Sequence, residues 1–246
     1  RYPGDAADAA LRAALLDDEA LLRHTAAQGL RVADSRERVS LLAPLLFDPA
    51  KAVRLAALAQ LAGTPDHLFE PYQLEAYREV EAEYVATMQY SLDFAFAGMN
   101  LGTLYARLGR PDEAASYYRR AIAVDDLFSP AKVNLAILLS GEGENAEAEQ
   151  LLREVVEAYP EHHEAAYLLG LLLVELGQTA EALGWMQRAV DGAPRNARVR
   201  YNLGLLQQSL GRDADAEATL RAAVALDPDH PDYLYALADH YLNRER

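Results

Sequence analysis

One interval dominates this sequence. The stretch "YNLGLLQQSLG" at 201–211 is preceded by "YLLGLLLVELG" at 167–177, "VNLAILLSGEG" at 133–143 and "MNLGTLYARLG" at 99–109, each 34 residues from the next. Leu101, Leu135, Leu169 and Leu203 are equivalent, and each is followed by a small residue: Gly102, Ala136, Gly170, Gly204. Seven positions on come Gly109, Gly143, Gly177 and Gly211, then Ala114, Ala148, Ala182 and Ala216, then the large apolar Tyr118, Leu152, Met186 and Leu220. The unit closes at Asp126, Pro160, Pro194 and Pro228. A chain that repeats at this interval folds as a stack, because one such unit cannot bury its apolar face alone.

Each recurring residue has a physical reason. The apolar spacing is helical nearly everywhere, β-branched runs are scarce, and Gly and Pro fall at regular joints, so the chain is expected to be all-α. The small residue after the Leu lets two antiparallel helices approach closely. The later glycine falls past the first helix, where a left-handed C-cap costs Gly least. The proline stops the second helix, since it lacks an amide donor and clashes with the preceding turn.

These residues, "YNLG" at 201–204 above all, resemble the tetratricopeptide repeat family over about 95–230, in four repeats. The usual tryptophan, three residues before the Leu, is replaced by Gly98, Lys132, Ala166 and Arg200, and Asp126 stands where the first repeat would end in Pro. Residues 231–246 keep the register through Leu237 but have no second helix. They read as a terminal capping helix made wettable by Asp232, Asp239 and Arg244.

The first 63 residues repeat differently. "LLDDEALLRHTAAQGL" (15–30) aligns with "LLFDPAKAVRLAALAQL" (45–61) so that Asp17 and Arg23 become Asp48 and Arg54, an offset of 31. This resembles two HEAT-type repeats, a family in which Asp and Arg of the inner helices bridge neighbours. Asp48 with Pro49 fits an N-cap and first turn, and Ser35 is a candidate cap for the helix between the repeats. Residues 64–94 are expected to hold a connector (64–70) and a bridging helix from Pro71 to about Leu92. Val80, Tyr84 and Thr87 lie 34 residues before Ala114, Tyr118 and Ala121, so this helix should act as the second helix of a degenerate repeat. A hinge at 64–70 is the alternative. The expected fold is an all-α, right-handed helical-repeat solenoid: HEAT-like helices, four tetratricopeptide repeats and a cap.

Composition excludes several functions. Net charge is −15 over 246 residues. Residues 1–94 carry 9 basic and 15 acidic groups (−6) and residues 95–246 carry 14 and 23 (−9), so neither part suits nucleic acid, which needs clustered Lys and Arg. Without Cys, this segment has no disulfide, thiolate zinc site, iron–sulfur cluster or c-type haem attachment. No apolar run approaches the roughly 18–20 residues of a membrane span, and none resembles a signal peptide. The start at Arg1 rather than Met suggests a fragment or processed product. No phosphate loop, nucleophile elbow, kinase signature or metalloprotease helix is present, so no enzyme activity and no cofactor are expected. "EHHE" at 161–164 offers metal-ligand chemistry, but adjacent residues in a turn rarely converge on one ion, and no metal is assigned. The acidic stretch from Glu142 to Glu164, relieved only by Arg153, reads as a solvated outer face, with docking of a basic partner as the sharper alternative.

The tetratricopeptide resemblance implies a concave face lined by the first helix of each pair. The residues placed there are Met99, Asn100 and Thr103; Val133, Asn134 and Ile137; Tyr167 and Leu171; Tyr201, Asn202, Leu205 and Gln208; and Tyr235 in the cap. Asn amides can both donate to and accept from a peptide backbone, and Tyr gives rigid contact area with a polar tip. The implied function is a non-catalytic scaffold for a protein or peptide partner, with self-association also open; the competing role for each Tyr and Asn is packing between repeats. The family's clamp for acidic C-terminal tails of chaperones needs Lys and Arg on this face; Lys132 and Arg200 lie one position off it and Arg198 alone could point inward, so a cochaperone role is disfavoured. The HEAT-like and tetratricopeptide order also resembles the C-terminal half of some bacterial multihaem c-type cytochromes. That resemblance implies an interaction module at the periplasm or cell surface, with haem sites outside this segment; without it, the cytoplasm is expected.

Overall fold

Among residues 5–244, which the computed structural model describes, the chain forms fourteen α-helices and no strand. They fall into two compact units divided after Asp125.

The first unit holds α1 (Asp5–Ala14), α2 (Ala20–Gly29), α3 (Ser35–Leu42), a 3-10 turn (Ala43–Phe47), α4 (Lys51–Leu61), α5 (Pro71–Tyr90), α6 (Ala95–Arg107) and α7 (Pro111–Val124). Leu15, Ala27, Leu30, Leu42, Val53, Leu58 and Leu61 form its N-terminal core. The cap of α3 is Asp34, not Ser35. Asp34 sits three residues before Glu37, and its Oδ1 accepts the Glu37 amide at 2.8 Å, so Ser35 becomes the first helical residue. Segment 64–70 is packed down: Phe69 is buried and its ring lies 5.4 Å from that of Tyr77. The Glu70 amide donates to Gln73 Oε1 at 3.0 Å, which closes the start of α5, and α5 packs against both α4 and α6.

Arginines tie the N-terminal helices together. Arg23 on α2 donates to both carboxylate oxygens of Asp48, at 2.6 and 3.0 Å. Arg54 on α4 does the same to Glu83 on α5, at 2.8 to 3.1 Å. The Arg23–Asp48 pair is largely out of water, and the guanidinium holds the Asp48 carboxyl below its usual range.

The second unit holds three helix pairs and one final helix: α8 (Ser129–Gly141) with α9 (Asn145–Ala158), α10 (His163–Glu175) with α11 (Thr179–Gly192), α12 (Ala197–Ser209) with α13 (Asp213–Leu226), and α14 (Pro231–Arg244). Gly143, Gly177 and Gly211 follow the first helices with φ of 84°, 75° and 69°, the left-handed turn their spacing predicts. Helices α9, α11 and α13 each end two residues before Pro160, Pro194 and Pro228.

In the α10/α11 and α12/α13 pairs, a glycine faces a large side chain. A Cβ on Gly170 would lie 2.7 Å from Met186 Cγ, and one on Gly204 would lie 2.7 Å from Leu220. The pair α6/α7 is built likewise, with Tyr118 against Gly102. Leu135, Leu169 and Leu203 are fully buried beside these contacts, each worth roughly 1.5–3 kcal/mol of burial.

Tyr233, Ala236 and His240 seat α14 on the array. Its outer face is apolar, with Leu234, Tyr235, Tyr241 and Leu242 exposed. Asp232 is exposed, but Asp239 is half-buried and accepts from Gln208 Nε2 at 3.4 Å, so it wets the cap little. The Arg244 side chain lies outside the described residues.

Candidate protein-binding faces

In the first unit, Met99, Asn100 and Thr103 sit half-buried on α6. Asn100 Nδ2 lies 3.8 Å from Met88 Sδ on α5. Thr103 Oγ1 donates to the Met99 carbonyl at 3.0 Å and accepts from Tyr118 Oη at 3.2 Å. Asn100 and Thr103, with Leu58, Tyr84, Leu104 and Arg107, line a cavity of about 130 Å³. Burial pushes the Tyr84 phenol up against the pull of Arg107, so it stays a protonated donor at neutral pH. Arg107 donates to the Ala59 carbonyl. Sequence reasoning placed Tyr84 only as a packing residue and overlooked Arg107. The available signal was its position four residues after Thr103, on the same helix face.

In the second unit, the face divides into residues that join helices and residues that stay open. Val133 is buried. Tyr167 and Asn202 bind each other, the Asn202 amide donating to Tyr167 Oη and linking α10 to α12. Tyr201 packs on Tyr233 of α14, ring centroids 5.1 Å apart, and Gln208 reaches Asp239. These four residues therefore hold neighbouring helices together. The open residues are Ile137 (49% exposed) and Leu205 (36%), with half-buried Leu171 between them in the repeat register, Asn134 half-buried beside Ile137, and Tyr235 (75%) on α14. Asn202 keeps its carbonyl oxygen and one N–H beyond the bond to Tyr167.

The charged positions are used internally. Lys132, at the place of the missing tryptophan, is buried and bonds Asp126 at 2.9 Å and Glu154 at 2.7 Å. Its ammonium holds the Glu154 carboxyl below the usual range. Arg200 is turned back to the Pro194 carbonyl at 2.9 and 3.1 Å. In the acidic stretch, Arg153 pairs with Glu149 and with Glu181 of the next pair, at 2.8 and 2.7 Å. His162 caps α10, its Nδ1 accepting the Ala165 amide at 3.2 Å, which puts the proton on Nε2. Among the described residues, no group of three or more His, Asp or Glu is placed to hold a metal ion, and no helix is long and apolar enough to cross a membrane.

Antiparallel pairs with a small residue against a large one, a left-handed glycine and a closing proline define a helical-repeat protein. Profiles of the tetratricopeptide repeat match residues 99–127, 133–197 and 173–240, and the chain belongs to that family. Proteins of this family are generally protein-interaction scaffolds and typically non-catalytic. No curated protein matches the chain. Among solved structures, it is similar to YrrB, described as a TPR protein with an unusual peptide-binding site, at 23% identity and TM-score 0.58 over 66% of this chain and 84% of YrrB. It is also similar to MamA (41-end) from Desulfovibrio magneticus RS-1, at 25% identity and TM-score 0.57 over 61% of this chain and 85% of the other. A third is TTC0263, a thermophilic TPR protein of Thermus thermophilus, at 27% identity and TM-score 0.50 over 61% and 82%.

Proposed function

We propose that the first-helix face of the second unit binds a protein segment by apolar contact along Ile137, Leu171 and Leu205, with Asn134 and Asn202 serving its backbone. The observation that carries this reading is the aliphatic row. These three side chains repeat at 34-residue spacing, yet they stay partly or largely exposed while the residue before each, Ala136, Gly170 or Gly204, is buried. An array has no packing reason to keep branched aliphatic residues in water at one register position of every pair. Tyr235 extends the face onto α14. The tyrosines and asparagines of the middle repeats act first as struts, holding the row at its spacing.

The experiment is selection of binding peptides from a random library on the intact chain. Leu205→Glu and Leu171→Glu together are expected to weaken the selected peptides at least about tenfold. The melting temperature should hold, because both side chains reach solvent. Peptides that bind the double variant as tightly as the parent would sink this reading. Tyr201→Ala is a poorer test, because it also removes the Tyr233 contact.

A further inference from the structure

The second helices of the second unit carry a recurring ion pair. Glu149 and Arg153 meet on α9 at 2.8 Å, and Glu217 and Arg221 meet on α13 at 3.7 Å. At the same register α11 has Leu183 and Gln187. Beside Leu183 stands Gly184, exposed in the interior of α11 where α9 has Gln150. Gly184 has no positive φ, and a Cβ there would meet no atom within 4 Å. Neither a turn nor a close approach within the fold asks for this glycine, although a glycine inside a helix is destabilising relative to alanine.

Helix α12 departs from its register too. Leu139 and Leu173 are buried at the positions equivalent to Gln207. Gln207 is buried like them, at 6% exposed, yet its Oε1 is out of water with no hydrogen-bond partner. A buried amide oxygen left unpaired is destabilising. Leu183, Gly184, Gln187 and Gln207 all line one groove of about 560 Å³ between α11 and α13, with Ala180 and Ala218 on its walls. Departures that cost stability and gather in one place are the mark of a site.

We propose that this groove binds an extended, uncharged segment of another protein, with an apolar side chain on Leu183, its backbone passing over Gly184 and one peptide group held by Gln207. Each departure then has a use. Loss of the ion pair leaves the α11 wall without charge. The missing Cβ admits a backbone. The Gln207 amide offers a donor and an acceptor, the complement of a peptide group, and its terminal torsion is broad enough to turn either toward the groove. A helix does not fit the part, because its interior amides are bonded within it. Arg212 and Asp215, the charged residues lining the groove, are opposite in sign and select neither an acidic nor a basic segment. Walls and floor all come from residues 180–219, with the α8/α9 pair before them and α14 after them.

The probe is a random seven-residue peptide library, selected on the full chain carrying Leu171→Glu and Leu205→Glu. That background lacks the aliphatic row of the first helices, so the outcome is independent of the reading above. Enriched peptides, synthesised with blocked ends and titrated into the isotope-labelled chain, are expected to shift the amides of Gly184 and Ala218 along a saturable curve. Gly184→Gln, which installs the residue α9 has, is expected to weaken them at least about tenfold, and Gln207→Leu, which installs the residue of the other pairs, about fivefold. Both substitutions should raise the melting temperature, because each removes a feature that the fold itself does not use. No enriched peptide, shifts located elsewhere, or equal affinity for the parent and both variants would each overturn the proposal. So would a lower melting temperature in Gln207→Leu, which would show that the amide serves the fold. Self-association abolished by Gly184→Gln would also overturn it, assigning the groove to a second copy.

Discussion

Helices α2, α4 and α5 and the pairs of the second unit solve one problem in two ways. In the N-terminal segment, successive helices are locked by long arginines that bind their own first turn and a carboxylate of the next segment. In the pairs α10/α11 and α12/α13, the lock is a glycine into which Met186 or Leu220 inserts. A side chain seated on a backbone tolerates no drift, so the spacing of the second kind is exact. An arginine can swing to its partner, so the first kind tolerates a partner of different type and position: Asp48 lies between helices, whereas Glu83 lies well inside α5.

The largest effects test the glycine lock. Leu220→Ala is expected to lower the unfolding free energy by about 2–5 kcal/mol in urea titration, because Leu220 is fully buried. Gly204→Ala should cost about 1–3 kcal/mol through overpacking against Leu220, and much less in the Leu220→Ala background. Additive costs would show that the two residues do not fix the pair's spacing.

The arginine lock should answer differently. Arg23→Met leaves Asp48 buried without its partner and is expected to lower the melting temperature clearly. Adding Asp48→Asn, which keeps the acceptor for the Ala50 amide, should recover part of the loss. A double variant that melts below the Arg23→Met single would remove the pair from the account.

This difference also decides what could be read in advance. The 34-residue period revealed the tetratricopeptide pairs, their glycine turns and their closing prolines, because each residue there has one steric job. It revealed Asp48 and Arg54 but not that Glu83 completes the series, since a carboxylate inside a helix full of Glu carries no positional mark. The candidate face was read less well. Sequence placed Val133, Tyr167, Asn202 and Ile137 together, and only contacts separate the struts from the open row: Tyr167 and Asn202 bind each other, Val133 is buried, Ile137 is not. Lys132 was judged by what it lacked as a tryptophan, and its buried pairing with Asp126 and Glu154 had no local signal.

Acid should separate the two segments further. The Asp48 carboxyl is lowered in the folded chain, mainly by its bond to Arg23, below a reference value of 3.8. A depressed carboxyl contributes stability that is fully present above the unfolded value and is lost as pH falls through the folded one. Amide protection in α2 and α4, taken as exchange relative to the intrinsic rate at each pH, is therefore expected to fall as pH drops below about 4, with the acid-dependent part absent in Arg23→Met. An acid response identical in the two proteins would assign the loss to other carboxylates.

The smallest effect sets the control for burial. Arg153 bridges α9 to α11 through Glu181, just as Arg23 bridges α2 to Asp48, but both partners remain substantially in water. A pair so exposed gains little Coulomb energy and is screened by salt. Arg153→Gln is expected to change the unfolding free energy by no more than about 1 kcal/mol, and the change should shrink as salt is raised. If Arg153→Gln instead matched Arg23→Met at high salt, exclusion of water would not be what distinguishes the two bridges. The N-terminal arginines would then owe their strength to the backbone carbonyls they bind rather than to the carboxylates they reach.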